Sequence, residues 1–427
     1  MTAAIISIFI LGYIAIAFEH SIRINKAASA LVTGVLCWIV YIFFTNDKEF
    51  VTDQLSHHLA NVSEVLFFLM AAMTIVELID AHDGFDIITQ RIKTFRKGKI
   101  LWIIGLLSFL LSTVLNNLTT AIVMVSLVRK LVADKNDRWM LAGIIVIAAN
   151  AGGAWSPIGD VTTTMLWIGN QVTANRLILA LIIPSLVCLV IPILFMRFVF
   201  KGEIKKPEQQ LGRAAETPTT KKERKIVFLT GLSLLLMVPL FKTVTHLPPY
   251  MGMLIGLGLM WIITEIIHSG KADEDRKNFT VAYALRKIDT SSILFFLGIL
   301  LAISALESTA QLKHASVWMD HNLKDQNIIV GSIGLLSSIV DNVPLVAATQ
   351  GMYDLNIYPT DHSFWHFLAY ATGTGGSILI IGSAAGVVAM GLEKINFIWY
   401  LKQIGWLALL GYIAGGVVYI LQSKIVG

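Results

Sequence analysis

The sequence predicts an all-α polytopic membrane protein: two inverted repeats, each of five spans plus one re-entrant hairpin, with discontinuous helices at the midplane. Three observations predict it. The 427 residues are 56% hydrophobic and 14% charged, with a mean hydropathy of +0.72, whereas a soluble chain carries about 25% charged residues. Two apolar stretches, 100–128 and 327–350, have polar tips at Asn116-Asn117 and Asp341-Asn342. Each is followed by a long apolar span containing a glycine pair, Gly152-Gly153 or Gly375-Gly376.

Taken in order, full spans are expected near 2–18, 27–44, 62–80, 139–169, 176–200, 226–242, 250–268, 290–311, 363–392 and 397–422, where apolar blocks can cross a hydrocarbon core of ~30 Å. The first block, Thr2–Phe18, has neither a basic residue ahead of it nor a small-residue cleavage site, so it reads as a span rather than a signal peptide. Cys37 and Cys188 sit inside spans as small hydrophobes and predict no disulfide. Trp102, Trp155, Trp167 and Trp399 read as packing or interface residues.

Basic residues set the orientation, because Lys and Arg concentrate in cytoplasmic loops. Arg23 and Lys26, the cluster Arg91 to Lys99, the cluster Arg129 to Arg138, the 201–225 connector, Lys271 to Lys287 and Lys394 share one side. Lys48, Arg176, Lys242, Lys313, Lys324 and Lys424 share the other. The richer side is expected to be cytoplasmic, with both termini outside. Basic clusters on the same side flank 100–128, and 29 residues is too short for two crossings of ~20 each. A hairpin entering from the cytoplasm results, and 327–350 is its counterpart from outside. Backbone at membrane depth must be buried in protein or line a wet cavity, so the tips should meet in the middle.

The halves are expected at 1–200 and 226–427, joined by the 201–225 connector, with broken helices at 139–169 and 363–392. Five spans plus a hairpin is an odd number of crossings, so the second copy inverts. Paired discontinuous helices in an inverted repeat point to a secondary transporter with its site near the midplane.

Helix breaks expose carbonyls at the negative end of a helix dipole, which attract a cation. The expected cation-binding residues are Asn116, Asn117, Asn150, Asp160, Asp341 and Asn342. Support is expected from Thr113, Gly152, Gly153, Thr162, Thr163, Ser338, Thr374, Gly375, Ser377 and Ser383. Thr162, Thr163 and Thr164 follow Asp160, and at least one of the three reads as a backbone-bonding helix residue. This oxygen-rich set suits a hard cation such as Na⁺, and a carboxylate at membrane depth is costly and usually functional. No Lys or Arg falls within a tip or a glycine break, which disfavours a large anionic substrate. Glu77 and Glu307, nearer opposite faces, are candidates for a proton path. His82 reads as an interfacial, solvated histidine just past the third span.

The stretches Ala149–Thr164, Leu118–Met124 and Ala71–Glu77 resemble the NhaD-type sodium/proton antiporters. The resemblance implies the ion-transporter superfamily fold, exchange of Na⁺ or Li⁺ for H⁺, an elevator-like movement, and a homodimer in the bilayer. No cofactor beyond the transported ions is implied. The family pattern carries Asp-Asn at both tips, so Asn116 departs from it and removes one carboxylate. Dicarboxylate carriers of the superfamily share the architecture but carry Ser-Asn-Thr tips, which this chain lacks; a sodium-coupled carboxylate carrier is the alternative. An intramembrane enzyme would need a nucleophile–base pair or metal cluster at depth, and no such motif occurs. A net charge of +5 punctuating spans does not predict nucleic-acid binding. The expected location is the bacterial cell membrane, as a multi-pass protein.

Overall fold

In lipid the backbone must satisfy its own hydrogen bonds, and the chain does so almost entirely with helices. The computed structural model describes residues 1–85, 87, 94, 96–205, 219–272 and 276–426. Arg91, Lys93 and residues 206–218 of the connector, used above to set orientation, lie outside them. Among the described residues, eight helices are long and apolar enough to cross a membrane, and the only strand-like feature is one antiparallel bridge between Arg96 and Glu203. The protein is an integral, multi-pass, all-α membrane protein.

Helix starts follow local chemistry. Asn25, Asp47, Asp134, Asp289 and Asp325 each accept a hydrogen bond from an orphan N–H of the helix that follows. Thr220 and Glu223 form a capping box. The span expected at 62–80 is the C-terminal part of a longer helix, Lys48–Ala81. Spans pack through small residues: Gly34 faces the Gly298 carbonyl so closely that a Cβ would lie 2.5 Å from it.

Helix breaks fall at both expected tips. Helix Lys97–Leu115 stops at Asn116, whose backbone turns through φ 63°, and Asn117–Leu131 begins at once. Gln326–Leu336 gives way to a turn, and Asn342–Met352 follows. The first arm is longer than the half-helix expected: its 19 residues rise about 28 Å at ~1.5 Å per residue. The broken spans are Lys135–Ala154 with Val161–Ile168, and Ser363–Gly375 with Ala384–Glu393.

The glycine pairs sit where the first half of each broken helix ends: Gly153 is one residue short of the end of Lys135–Ala154, and Gly375 ends its helix with Gly376 as the C-cap. Asn150, Gly152 and Gly153 are helical, and so are Gly373 and Gly375. Their use is close approach. A Cβ on Gly152 would collide with the Phe109 carbonyl, and one on Gly375 with the Gly334 carbonyl. Each hairpin's first arm thus lies directly on the following broken helix. The same pairing recurs nearby, Gly153 against Gly159 and Gly376 against Gly382. Ser112 Oγ donates to the Ala149 carbonyl at 2.5 Å, and Ser337 Oγ to the Thr372 carbonyl at 2.9 Å. The second arms cross over: Asn117–Leu131 packs on Ala384–Glu393, and Asn342–Met352 on Val161–Ile168. The two halves interlock around the breaks.

Candidate functional site

The interlocking carries both tips to one carboxylate. Asp160 caps the short helix Val161–Ile168, with Oδ1 3.4 Å from the Thr162 N–H. Its Oδ2 accepts from Asn117 Nδ2 at 3.3 Å and from Asn342 Nδ2 at 3.1 Å. Asn117 Nδ2 also donates to Asn150 Oδ1 at 3.2 Å, and Asn150 Nδ2 donates to Ser383 Oγ at 2.9 Å. Asp160 is 2% exposed and Asn150 fully buried. Ser383 caps Ala384–Glu393 as Asp160 caps Val161–Ile168, so the cluster lies where both broken helices restart. Gly373 adds room here; a Cβ on it would stand 3.8 Å from Asp160 Oδ2.

Five predicted residues, Asn117, Asn150, Asp160, Asn342 and Ser383, therefore form one bonded network. Both tip amides present their nitrogens to Asp160, whose Oδ2 accepts from them. Asn117 Oδ1 instead takes the Leu118 N–H at 2.8 Å. The buried Thr162 hydroxyl stands beside Asp160 with no fully formed hydrogen bond, and the buried Thr120 hydroxyl, one helical turn beyond the tip, is also unpartnered. Such oxygens are costly to bury and are available to a ligand.

The other expected residues divide. Asn116 is a cap, accepting from Thr119 N–H at 2.9 Å. Thr163 bonds the Asp160 carbonyl, and Thr164 bonds both Asp160 and Pro157 carbonyls. Thr113 donates to the Phe109 carbonyl, while its own carbonyl accepts from Ser156 Oγ. Ser338, Thr374 and Ser377 donate to carbonyls within a turn. These groups shape the breaks and do not line the network; Gly152, Gly153 and Gly375 serve it through packing.

Asp341 lies within electrostatic reach of Asp160 but outside the network. It pairs with Lys26, Nζ to Oδ2 3.4 Å, and Lys26 Nζ also sits 4.4 Å above the Phe295 ring. The sequence reading found no cation at either tip, and Lys26, 315 positions away in the chain, is the one it missed. Tyr13 is a second neighbour of Asp341. The buried Tyr400 hydroxyl was missed too; it donates to the Ser377 carbonyl at 2.8 Å, tying down the second break.

Glu307 borders a cavity of about 880 Å³ with Asp53, His57, Glu64, Lys242 and Gln350. The cavity reaches Met165, Ile168 and Gly169 at the C-terminal end of the short helix that Asp160 begins, where the helix dipole favours cations. Glu77 lies elsewhere, half-buried near Asp80 and Lys287. The expectation of a solvated His82 is corrected: it is fully buried, with Nδ1 2.6 Å from the Leu78 carbonyl and Nε2 2.8 Å from His268 Nε2. A carbonyl only accepts, so Nδ1 carries the proton and His268 Nε2 donates to His82 Nε2. Burial pushes the His82 imidazole down to about 4, against the smaller opposing pull of the Leu78 carbonyl.

Residues 13–360 match the citrate transporter family. Sodium/proton antiporter 1 of Arabidopsis thaliana is 46% identical over 97% of this chain and 71% of its own length. Sodium/proton antiporter 2 of the same plant is 46% identical over 97% and 98%. The Na⁺/H⁺ antiporter NhaD of Vibrio cholerae is 30% identical over 98% of this chain and 91% of its own.

Proposed function

The chain belongs to the NhaD-type sodium/proton antiporters within the citrate transporter family, and from that premise we propose that it exchanges Na⁺ or Li⁺ for H⁺ at Asp160. The observation that carries this reading is the convergence of both tip asparagines on one buried carboxylate oxygen. A carboxylate with a cation against it holds its proton less well, so one site serves both ions in alternation. Sodium arriving at Asp160 displaces the positive amide hydrogens. A half-turn of each amide then presents Asn117 and Asn342 oxygens to the ion, with the Thr162 hydroxyl beside them. Release of the ion returns the amides to their donor arrangement, and Asp160 is then free to take up a proton.

Inverted repeats meeting at residues 201–225 are part of the proposal, as are both termini outside a bacterial cell membrane. What supports the repeats is the paired packing of Gly152 on Phe109 and Gly375 on Gly334. We assign alternating access to an elevator-like movement of the hairpins with the broken helices, supported by their interlocking second arms, within a homodimer. The cavity beside Glu307 serves as one approach, and the region of Glu77 belongs to the other. The carboxylate-carrier alternative has less support, because a carboxylate and amides meet at the network without a basic side chain. Everted vesicles holding a proton gradient test the reading. Na⁺ and Li⁺ should each dissipate the gradient while succinate and citrate do not; dissipation that requires a dicarboxylate would replace it.

A further inference from the structure

A second cavity, away from the ion site, has the chemistry of a headgroup pocket. It measures about 680 Å³ and is bordered by Arg96, Gly98, Lys99, Trp102, Ile103, Arg197, Phe200, Lys201 and Gly202. Four of these residues are basic and none is acidic. Arg96, Lys99, Arg197 and Lys201 are exposed and have no ion pair among the described residues. Their neighbour Lys97 is different, because it binds Asp137 at 2.6 Å. Glu203 meets Arg96 through backbone pairing and does not border the cavity.

The backbone adds to the positive field. The 19-residue helix Lys97–Leu115 opens here with no acidic residue in its first turn; its Lys97, Lys99 and Ile100 N–H groups are bonded to the Gly202 and Arg96 carbonyls, so the helix contributes the positive end of its dipole, which favours an anion. The Arg197 stem crosses this end, 3.8 Å from where a Cβ on Gly98 would stand.

Apolar surface runs from the pocket into the hydrocarbon region. Ile103, Leu106 and Leu110 are exposed at spacings of three and four along one helix face, and Phe195, Phe198 and Val199 are exposed on the other wall. Trp102 stands at the junction, where amphipathic rings collect in membrane proteins. A soluble anion would use the four cations alone, whereas a phospholipid uses the cations and the apolar stripe.

We propose that this cavity binds the phosphate headgroup of an anionic phospholipid, with Arg96, Lys99, Arg197 and Lys201 as its cations and the Ile103–Leu110 and Phe195–Val199 faces under its acyl chains. It lies on the face to which the basic residues assign the cytoplasm, where an anionic leaflet attracts Lys and Arg.

Native mass spectrometry of the purified full chain tests it, with phosphatidylglycerol, phosphatidylcholine and sodium phosphate added separately and in competition. The wild type should retain phosphatidylglycerol in preference to phosphatidylcholine. K99Q/R197Q should retain it about thirtyfold less well, at roughly fivefold per basic residue. K324Q/K424Q, which removes two exposed cations of the opposite set, should match the wild type. If K99Q/R197Q does not elute as a monodisperse species, K99Q/K201Q replaces it, both positions being exposed. Equal retention of the two lipids, equal loss in K324Q/K424Q, or displacement of the lipid by millimolar phosphate would overturn the proposal, the last by marking a soluble-anion site.

Discussion

Lys26 holds Asp341 in this structure, and removing it should tighten sodium binding. The amine and carboxylate are 3.4 Å apart with side chains 24% and 19% exposed. Coulomb's law at an effective dielectric near 20 gives ~5 kcal/mol at that distance. Water access and the entropy of fixing a lysine cut such pairs to ~1 kcal/mol at the surface; this one, three-quarters buried and seated on Phe295, should contribute about 1–2 kcal/mol. A sodium ion that visits Asp341 must first displace the amine. K26Q removes that competitor, so the apparent KM for Na⁺ should fall roughly five- to thirtyfold, at ~1.4 kcal/mol per factor of ten. Maximal velocity should fall too, because the ion leaves more slowly. K26R should keep the wild-type KM. The assay is a Na⁺ titration of gradient dissipation in everted vesicles, repeated on a D341N background. There the Lys26 substitution should add nothing. An unchanged KM in K26Q, or the same shift with and without Asp341, would refute the idea that Lys26 competes with the cation.

Two further outcomes follow from packing and burial. G375A places a methyl on the Gly334 carbonyl; overpacking of this kind costs about 1–3 kcal/mol, so thermal unfolding in detergent should come several degrees earlier and exchange should be lost. G331A, with nothing within 4 Å of its Cβ, should change neither. His82 should make stability fall in acid. Its folded value of about 4 lies below the ordinary ~6.5, so the unfolded chain takes up a proton that the folded protein refuses. The contribution is complete above pH ~6.5, declines as pH falls from 6.5 to 4, and is gone below 4, amounting to roughly 3 kcal/mol. H82Q should flatten the melting temperature over that window; an unchanged slope would count against it.

The breaks were legible because membrane depth makes polar residues conspicuous. Asn117, Asn342 and Asp160 stand in otherwise apolar stretches, and only a protein interior can satisfy them there. The glycine pairs were legible as markers of the breaks, but their second role was not, since a glycine at a helix end and one that admits a neighbour's carbonyl look alike in sequence. Lys26 with Asp341, His82 with His268 and Tyr400 with Ser377 were not legible. Each pair joins chain segments whose meeting depends on tertiary packing, and local periodicity carries no trace of it. The direction of the tip amides was also hidden: asparagine offers donor and acceptor alike, and the partner decides which end faces it.

Asp160 is where both tips converge, and D160N measures its role most directly. The variant keeps the shape and the capping oxygen, but its amide nitrogen would face the Asn117 and Asn342 nitrogens until those amides turn over, so a monodisperse elution profile is required of the purified protein before transport is read. Reconstituted in liposomes, the wild type should move protons when Na⁺ is added to one side, and D160N should move none at any pH from 6 to 9. Sodium-dependent proton movement by D160N at the wild-type rate would contradict the assignment of exchange to this carboxylate.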